Sequence, residues 1–400
     1  MIKRLSAFAC FAAAVLVVAS LPVHSSAGLG DSIKKKTADK ANKTANDALN
    51  KSTESTDAKP ADTPTSSEPA AKQADAGAET QVSAVSTKFD FVPGDKVLFF
   101  DDFAQDELGE FPAHWKLEEG TLEVAEMKGQ RWVRSTSVTS RIAMKLPAMP
   151  TLPEYWTFEL DFYCGEPSGN VLDVMGMKGD QKVWDLTFPY SGQNAYFLTG
   201  KTTSDTPLEN TNVWGAVHHV MFMARGNALK VYIDQQRVAN IPEIDLTNGA
   251  PDHLVISLWS DKEPMITNVR FAEGNKPVAD PFANGKFVTY GIYFDSGSDV
   301  VKAESAPVLR QLAAFMEKNP TVKVEIDGHT DNEGTPAGNL DLSKRRAASV
   351  AKVLTEQFKI AAERFKTDGM GDTKPVASND NPEGRAMNRR VEFTKLLEKI

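Results

Sequence analysis

The sequence is poor in cysteine: Cys10 and Cys164 are the two in 400 residues. Cys10 falls in an N-terminal segment read below as removed. That leaves Cys164 alone, so an intrachain disulfide is excluded. An excess of positive charge is also missing. The formal net charge is −9, and a nucleic-acid partner gains no electrostatic support. After the N-terminal segment, no stretch is long and apolar enough to cross a membrane as a helix. Residues 28–88 have no aromatic side chain. They cannot bury enough apolar surface to offset the entropy of ordering them.

What is present is otherwise ordinary for a globular chain, at 41% hydrophobic and 25% charged residues. The length suggests two or three domains. The start, MIKRLSAFACFAAAVLVVASLPVHSSAG, has basic Lys3 and Arg4, an apolar core, and the small residues Ser25-Ser26-Ala27. This pattern is a secretory signal peptide over residues 1–27; the rival reading is a retained single-span anchor. Residues 28–88, rich in Ala, Lys, Thr, Ser and Asp, read as a low-complexity tether. As a flexible coil the tether would span roughly 40–45 Å on average.

Residues 89–274 change character. Aromatics appear (Phe99, Phe100, Phe103, Trp115, Trp132, Trp156) and strand-like alternation repeats. In TFELDFYC, Phe158, Leu160, Phe162 and Cys164 face one way, and Glu159, Asp161 and Tyr163 the other. HHVMFMARGNALKVYIDQQRV reads as a hairpin turning at Gly226-Asn227, and DHLVISLWS and PMITNVRFAEG add two strands. No long amphipathic helix interrupts them, so the segment is expected to be an all-β sandwich.

The opening FFDDFAQDELGEFPAHW, the hairpin and the closing ITNVRFAEG resemble the laminin-G/concanavalin-like jelly roll. That resemblance implies a sugar-binding fold, sometimes with calcium, and some of its branches hydrolyse glycans. The hydrolase branch carries Glu-x-Asp-x-x-Glu or a run one residue shorter. Glu159 and Asp161 fill the first two places, but Tyr163 and Cys164 stand where the acid/base belongs. Retaining hydrolysis needs two carboxyl groups about 5–5.5 Å apart, and the second is not in register. Glu159 and Asp161 are therefore expected to be the solvated face of a strand.

Residues 275–285, NKPVADPFANG, form a Pro/Gly/Asn-rich joint. From 286 to 400, strand and helix patterns alternate. A strand with Tyr290, Ile292 and Phe294 on one side comes first. The helix of SAPVLRQLAAFMEKNP and the strand of VKVEIDGHTD follow. LSKRRAASVAKVLTEQF is a second helix, with Leu342, Ala347, Val350, Val353, Leu354 and Phe358 along one stripe and Asp341 as a plausible cap. RFKTDGMGD and RRVEFTKLL supply the last strands, with Val391 and Phe393 on one face. The order β-α-β-α-β-(α)-β predicts a small α/β domain.

In GHTDNEGTPAGNLDLSKRRAASV, Asp331 and Arg346 stand on either side of a loop, Asp331 after a strand and Arg346 in the second turn of the next helix. If strand and helix pack as neighbours, both charges reach one rim. A carboxylate and a guanidinium side by side suit a zwitterion; they also suit a plain surface salt bridge contributing about 0–1 kcal/mol. The region has no His pair at ligand spacing, no phosphate loop and no visible nucleophile–base arrangement.

YFDSGSDVVKAESAPVLRQLAAFM, VEIDGHTDNEG, NLDLSKRRAASV and GMGDTKPVASNDNPEGRAMNRRVEF resemble the OmpA-like C-terminal domain, without departure at the motif positions. The resemblance implies a periplasmic peptidoglycan-binding module in the envelope of a Gram-negative bacterium. In that family the aspartate after His-Thr and the arginine of Leu-Ser-x-x-Arg-Ala clamp the diaminopimelate of the peptide stem; these are Asp331 and Arg346 here. Asn339 and Arg390 match pocket-side positions of the same motifs. The expected protein is multidomain and non-enzymatic, without cofactor or catalytic metal, secreted, and associated with the outer membrane or cell wall. Its sandwich would meet a glycan or an envelope protein. The alternative is an envelope glycan hydrolase or lyase anchored by the C-terminal domain.

Overall fold

The computed structural model describes residues 88–190, 194–200, 202–208, 213–259, 262–274 and 280–396. Residues 1–27, expected to be a signal peptide, residues 28–87 of the expected tether and residues 275–279 of the joint lie outside them. In chain order the first strands are β1 (Lys96–Asp101), β2 (Trp115–Glu119), β3 (Leu122–Met127), β4 (Gln130–Ser135), β5 (Thr139–Met144) and β6 (Tyr155–Tyr163). They continue as β7 (Leu172–Lys178), β8 (Gln181–Tyr190), β9 (Asn194–Thr199), β10 (Thr202–Pro207), β11 (Val217–Arg225), β12 (Ala228–Ile233), β13 (Gln236–Ile241), β14 (His253–Trp259) and β15 (Met265–Glu273).

They form two antiparallel sheets. The eight-stranded sheet runs β13-β12-β11-β6-β15-β4-β3, with β1 also on β15; the seven-stranded sheet runs β10-β9-β8-β7-β14-β5-β2. Their inner faces meet in one core. Trp184 of β8 stacks on Trp156 of β6 at 6.2 Å between ring centroids and lies 5.6 Å from Phe222 of β11. Phe162 meets Phe188 across the sheets at 5.6 Å. Alternation in the chain produces this core: Phe158, Leu160 and Phe162 share a parity, and all three are fully buried. The hairpin turns where expected, with Gly226 at φ +59.

The C-terminal part has β16 (Lys286–Thr289), α1 (Ala306–Lys318), β17 (Lys323–His329), α2 (Pro336–Glu356), β18 (Phe365–Gly371), α3 (Pro382–Asn388) and β19 (Val391–Leu396). The four-stranded sheet runs β16-β19-β17-β18, with β17 parallel to β18 and its other pairings antiparallel. Leu309, Leu312 and Met316 of α1 and Ala347, Val350 and Leu354 of α2 close its core over Ile326, Val391 and Phe393. Two close approaches seat α2. A Cβ on Gly328 would lie 2.3 Å from the Ser343 carbonyl oxygen, and one on Gly369 2.3 Å from the Lys344 nitrogen.

Several sequence expectations move. The strand placed on Tyr290–Phe294 forms earlier, at Lys286–Thr289, and residues 290–295 take no regular structure. The second helix begins at Pro336 rather than after Asp341. Its cap is Thr335, whose side chain accepts from the Gly338 N–H. Pro336 suits the first turn because its missing N–H would have no helical partner.

Glu159 and Asp161 are the largest correction: they are not a solvated face. Glu159 is 2% exposed. Its Oε1 accepts from Arg270 at 2.9 Å, and its Oε2 accepts from the Tyr293 hydroxyl at 2.7 Å and lies 3.3 Å from His219 Nε2. Asp161 holds His219 Nδ1 at 2.6 Å and Asn268 at 2.7 Å. Tyr293 comes from the C-terminal part, which covers the polar face of β6. The described residues of both parts lie in one compact unit, Asp75–Ile400. Burial disfavours the charged imidazolium of His219, but its hydrogen bonds to Asp161 and Glu159 and their charges outweigh this and push its pKa up to about 10.

Candidate functional site

Asp331 stands just beyond the C-terminal end of β17, where the chain leaves the sheet for α2. It is 7% exposed. Its Oδ1 accepts from the Glu333 N–H at 3.1 Å, and its Oδ2 accepts from Arg389 Nη1 at 2.5 Å. Asn339, in the first turn of α2, is buried and donates from Nδ2 to the Asp331 carbonyl at 3.2 Å. It therefore holds the loop that carries the carboxylate. The Thr335 cap and Pro336 start α2 close to β17, which keeps that loop short.

Arg346 lies farther along α2 than expected, about three turns in, because the helix starts earlier. Its guanidinium lies over the Phe294 ring at 4.7 Å. Nε donates to the Ser298 carbonyl at 2.9 Å and Nη2 to the Asp295 carbonyl at 3.2 Å. The irregular segment after β16 thus orients this side chain. Burial lowers the Arg346 pKa, and the nearby Asp331 charge acts against that shift. The Asp331 charge is thus felt at the Arg346 guanidinium, and no salt bridge joins the two among the described residues.

Of the two other expected residues, Asn339 supports the Asp331 loop. Arg390 points elsewhere. It is 5% exposed, and it donates to Glu392 at 2.7 Å, to the Asn388 carbonyl at 3.3 Å and to the Lys374 carbonyl at 3.1 Å. Glu392 also pairs with Lys286 and with His329 at 3.4 Å. Burial opposes the Glu392 charge, yet its partners His329, Lys286 and Arg390 hold its carboxyl well below the usual range.

Arg389 is the residue missed in the sequence. Arg389 is the C-cap of α3 and precedes β19, so strand alternation does not reach it and no local pattern separates it from Arg390. Around Asp331 the structure gathers Glu333, Arg385 and Arg389. Arg385 Nε lies 3.2 Å from Glu333. Burial, Asp331 and Asp102 raise the Glu333 pKa, against Arg385 and Arg389. Acidic and basic groups are nearly balanced on this rim, which suits a ligand bearing both charges.

The two carboxylates at the hydrolase-like positions are committed. All four oxygens of Glu159 and Asp161 have protein partners. Neither is available to a substrate in this arrangement.

Residues 293–389 match the OmpA family. Over 105 residues the chain is 41% identical to outer membrane porin F of Pseudomonas aeruginosa, covering 26% of this chain and 30% of that protein. Over 149 residues it is 37% identical to the peptidoglycan-binding protein ArfA of Mycobacterium bovis, covering 34% of this chain and 44% of that one. The solved peptidoglycan-associated lipoprotein of Burkholderia pseudomallei is 29% identical, with 30% of this chain and 98% of that chain covered and a TM-score of 0.26. The chain spans less than half the length of these curated relatives. Its C-terminal part is an OmpA family domain, and a β-sandwich precedes it.

Proposed function

We propose that the protein binds peptidoglycan in the cell envelope, without catalysis, through the diaminopimelate of the peptide stem. Asp331 takes the ammonium, and Arg346 offers its fork to the carboxylate. Asn339 holds the Asp331 loop, and Arg390 braces β19 behind the pocket. The observation that carries this reading is that Asp331 and Arg346 of an OmpA family domain lie near enough for the Asp331 charge to act on the Arg346 guanidinium. Arg346 Nε and Nη2 are spent on backbone carbonyls, while Nη1 makes no hydrogen bond among the described residues. The name of ArfA, which states peptidoglycan binding, supports the ligand class.

The signal peptide over residues 1–27 would deliver the chain to the envelope, and the tether would give the domain reach. The sandwich, proposed as a concanavalin-like jelly roll, would meet a glycan or an envelope protein. Charge-assisted hydrogen bonds contribute roughly 1.5–3 kcal/mol each. Two or three, less ordering costs, leave a weak single-site affinity, which suffices on a polymer presenting many copies.

Co-sedimentation with purified sacculi tests the proposal. The wild-type protein is expected in the pellet, and Asp331→Ala and Arg346→Ala in the supernatant. Wild-type-like sedimentation of both variants overturns the site.

A further inference from the structure

The rim around Asp331 is not built from the OmpA family domain alone. β1 of the sandwich packs on α3, where Val97 and Phe100 meet Ala386, with Met387 against them. This apolar contact brings the end of β1 beside the site. The turn that follows is held rigidly: buried Asp101 accepts from the Phe103 N–H and from Trp115 Nε1, both at 2.9 Å. Asp102, the next residue, accepts from the Ala104 N–H at 3.3 Å, and its Oδ2 lies 3.8 Å from Arg389 Nη2. The Arg389 guanidinium lies over the Phe100 ring at 4.8 Å.

Arg389 therefore bridges two carboxylates from different domains, Asp331 through Nη1 and Asp102 through Nη2. The arrangement poses a competition. A ligand ammonium must share Asp331 with a guanidinium already bonded to it, and a buried carboxylate has few oxygen sites to share. Asp102 is a second anionic acceptor for the same guanidinium.

We infer that the sandwich forms a wall of the stem-peptide site, with Asp102 a positioning residue that draws Arg389 from Asp331 when the ligand ammonium arrives. The inference rests on the stem-peptide reading above, and it assigns the sandwich a part in that site. Without the Asp102 charge, Arg389 stays on Asp331 and competes with the ligand. Half-exposed pairs of this kind are worth little, so the expected loss is about five-fold in affinity.

The test is calorimetric titration of the purified full chain with the soluble tripeptide L-Ala-γ-D-Glu-meso-diaminopimelate. Asp102→Asn keeps the oxygen that accepts from Ala104 and removes the charge, and thermal unfolding checks its fold. Expected are about five-fold weaker binding in Asp102→Asn, recovery in the charge-keeping Asp102→Glu, and no effect of Asp102→Asn when Arg389 is already Ala. Equal affinity of Asp102→Asn and wild type overturns the inference and leaves the stem-peptide reading standing. A loss that persists in the Arg389→Ala background overturns the route through Arg389. Failure of the wild type to bind the tripeptide overturns the stem-peptide reading itself, and the inference with it.

Discussion

Tyr293 donates its hydroxyl hydrogen to Glu159 at 2.7 Å, joining residues 134 positions apart in the chain. The bond ties the first segment of the OmpA family domain to the middle of β6. It also completes a cluster in which Glu159, Asp161, His219, Asn268 and Arg270 have no need of solvent. A polar strand face becomes an internal joint.

Breaking that joint is expected to destabilise the whole unit. Glu159→Gln leaves Arg270 and His219 short of their counter-charge in a largely desolvated site, at a cost of about 3 kcal/mol. Tyr293→Phe removes one hydrogen bond and costs about 1–2 kcal/mol. Urea unfolding of the full chain, monitored by tryptophan fluorescence, measures both. Wild-type midpoints for the two variants would rule out the joint.

The same cluster sets a pH dependence. The folded pKa of His219 is raised from 6.5 to about 10, so its contribution is complete below 6.5, declines above that, and is lost as pH passes about 10. For Glu159 and Asp161, burial disfavours the charge, but the bonds to His219, the Arg270 charge on Glu159 and the Asn268 bond to Asp161 leave both pKa values lowered from 4.5 and 3.8. Their contribution is present above those values and is lost as pH falls through the lowered ones. Arg270, Tyr293, Lys302 and Glu304 face the same groups. Stability from this cluster should peak between about pH 5 and 6.5. In His219→Gln the alkaline decline should flatten, as read from unfolding midpoints between pH 5 and 10.

Arg390 and Asp331 should separate folding from binding. Arg390→Ala strips Glu392 of its bidentate-capable partner inside the protein, with an expected cost of about 3 kcal/mol. The molecules that remain folded should still sediment with sacculi. Asp331→Ala should show the reverse: lost sedimentation with a smaller change in melting temperature. Loss of binding by fully folded Arg390→Ala would return Arg390 to the pocket.

Gly369→Ala tests how α2 is seated. The added Cβ would meet the Lys344 nitrogen at 2.3 Å and the Ser343 hydroxyl oxygen at 2.4 Å, and the first of these is backbone. The helix must shift off β18, at an expected cost of about 2–3 kcal/mol. Thermal unfolding checks it. An unchanged melting temperature would mean that α2 has room to move.

The sequence by itself determined the elements that follow from local periodicity. Alternation placed Phe158, Leu160 and Phe162 inside a sandwich, and helical spacing placed Ala347, Val350 and Leu354 against a sheet. The Asp331–Arg346 loop was legible because strand, short loop and helix are neighbours in the chain. Local signals also carried their limits. They missed the Thr335 cap, since Asp341 was an equally good capping residue by type. They placed the strand on Tyr290–Phe294, where the aromatics pack without forming one.

Tertiary structure alone decided the rest. Whether Glu159 and Asp161 face water depends on a tyrosine more than a hundred residues away, because a polar strand face is buried only when another element supplies matching hydrogen bonds. Two adjacent arginines, Arg389 and Arg390, differ in role because one caps the end of α3 and the other leads into β19, where different partners meet them. Asp331 meets one, and Glu392 holds the other. Asp102 joins the rim through the packing of β1 on α3, a contact between surfaces distant in the chain that no local pattern encodes.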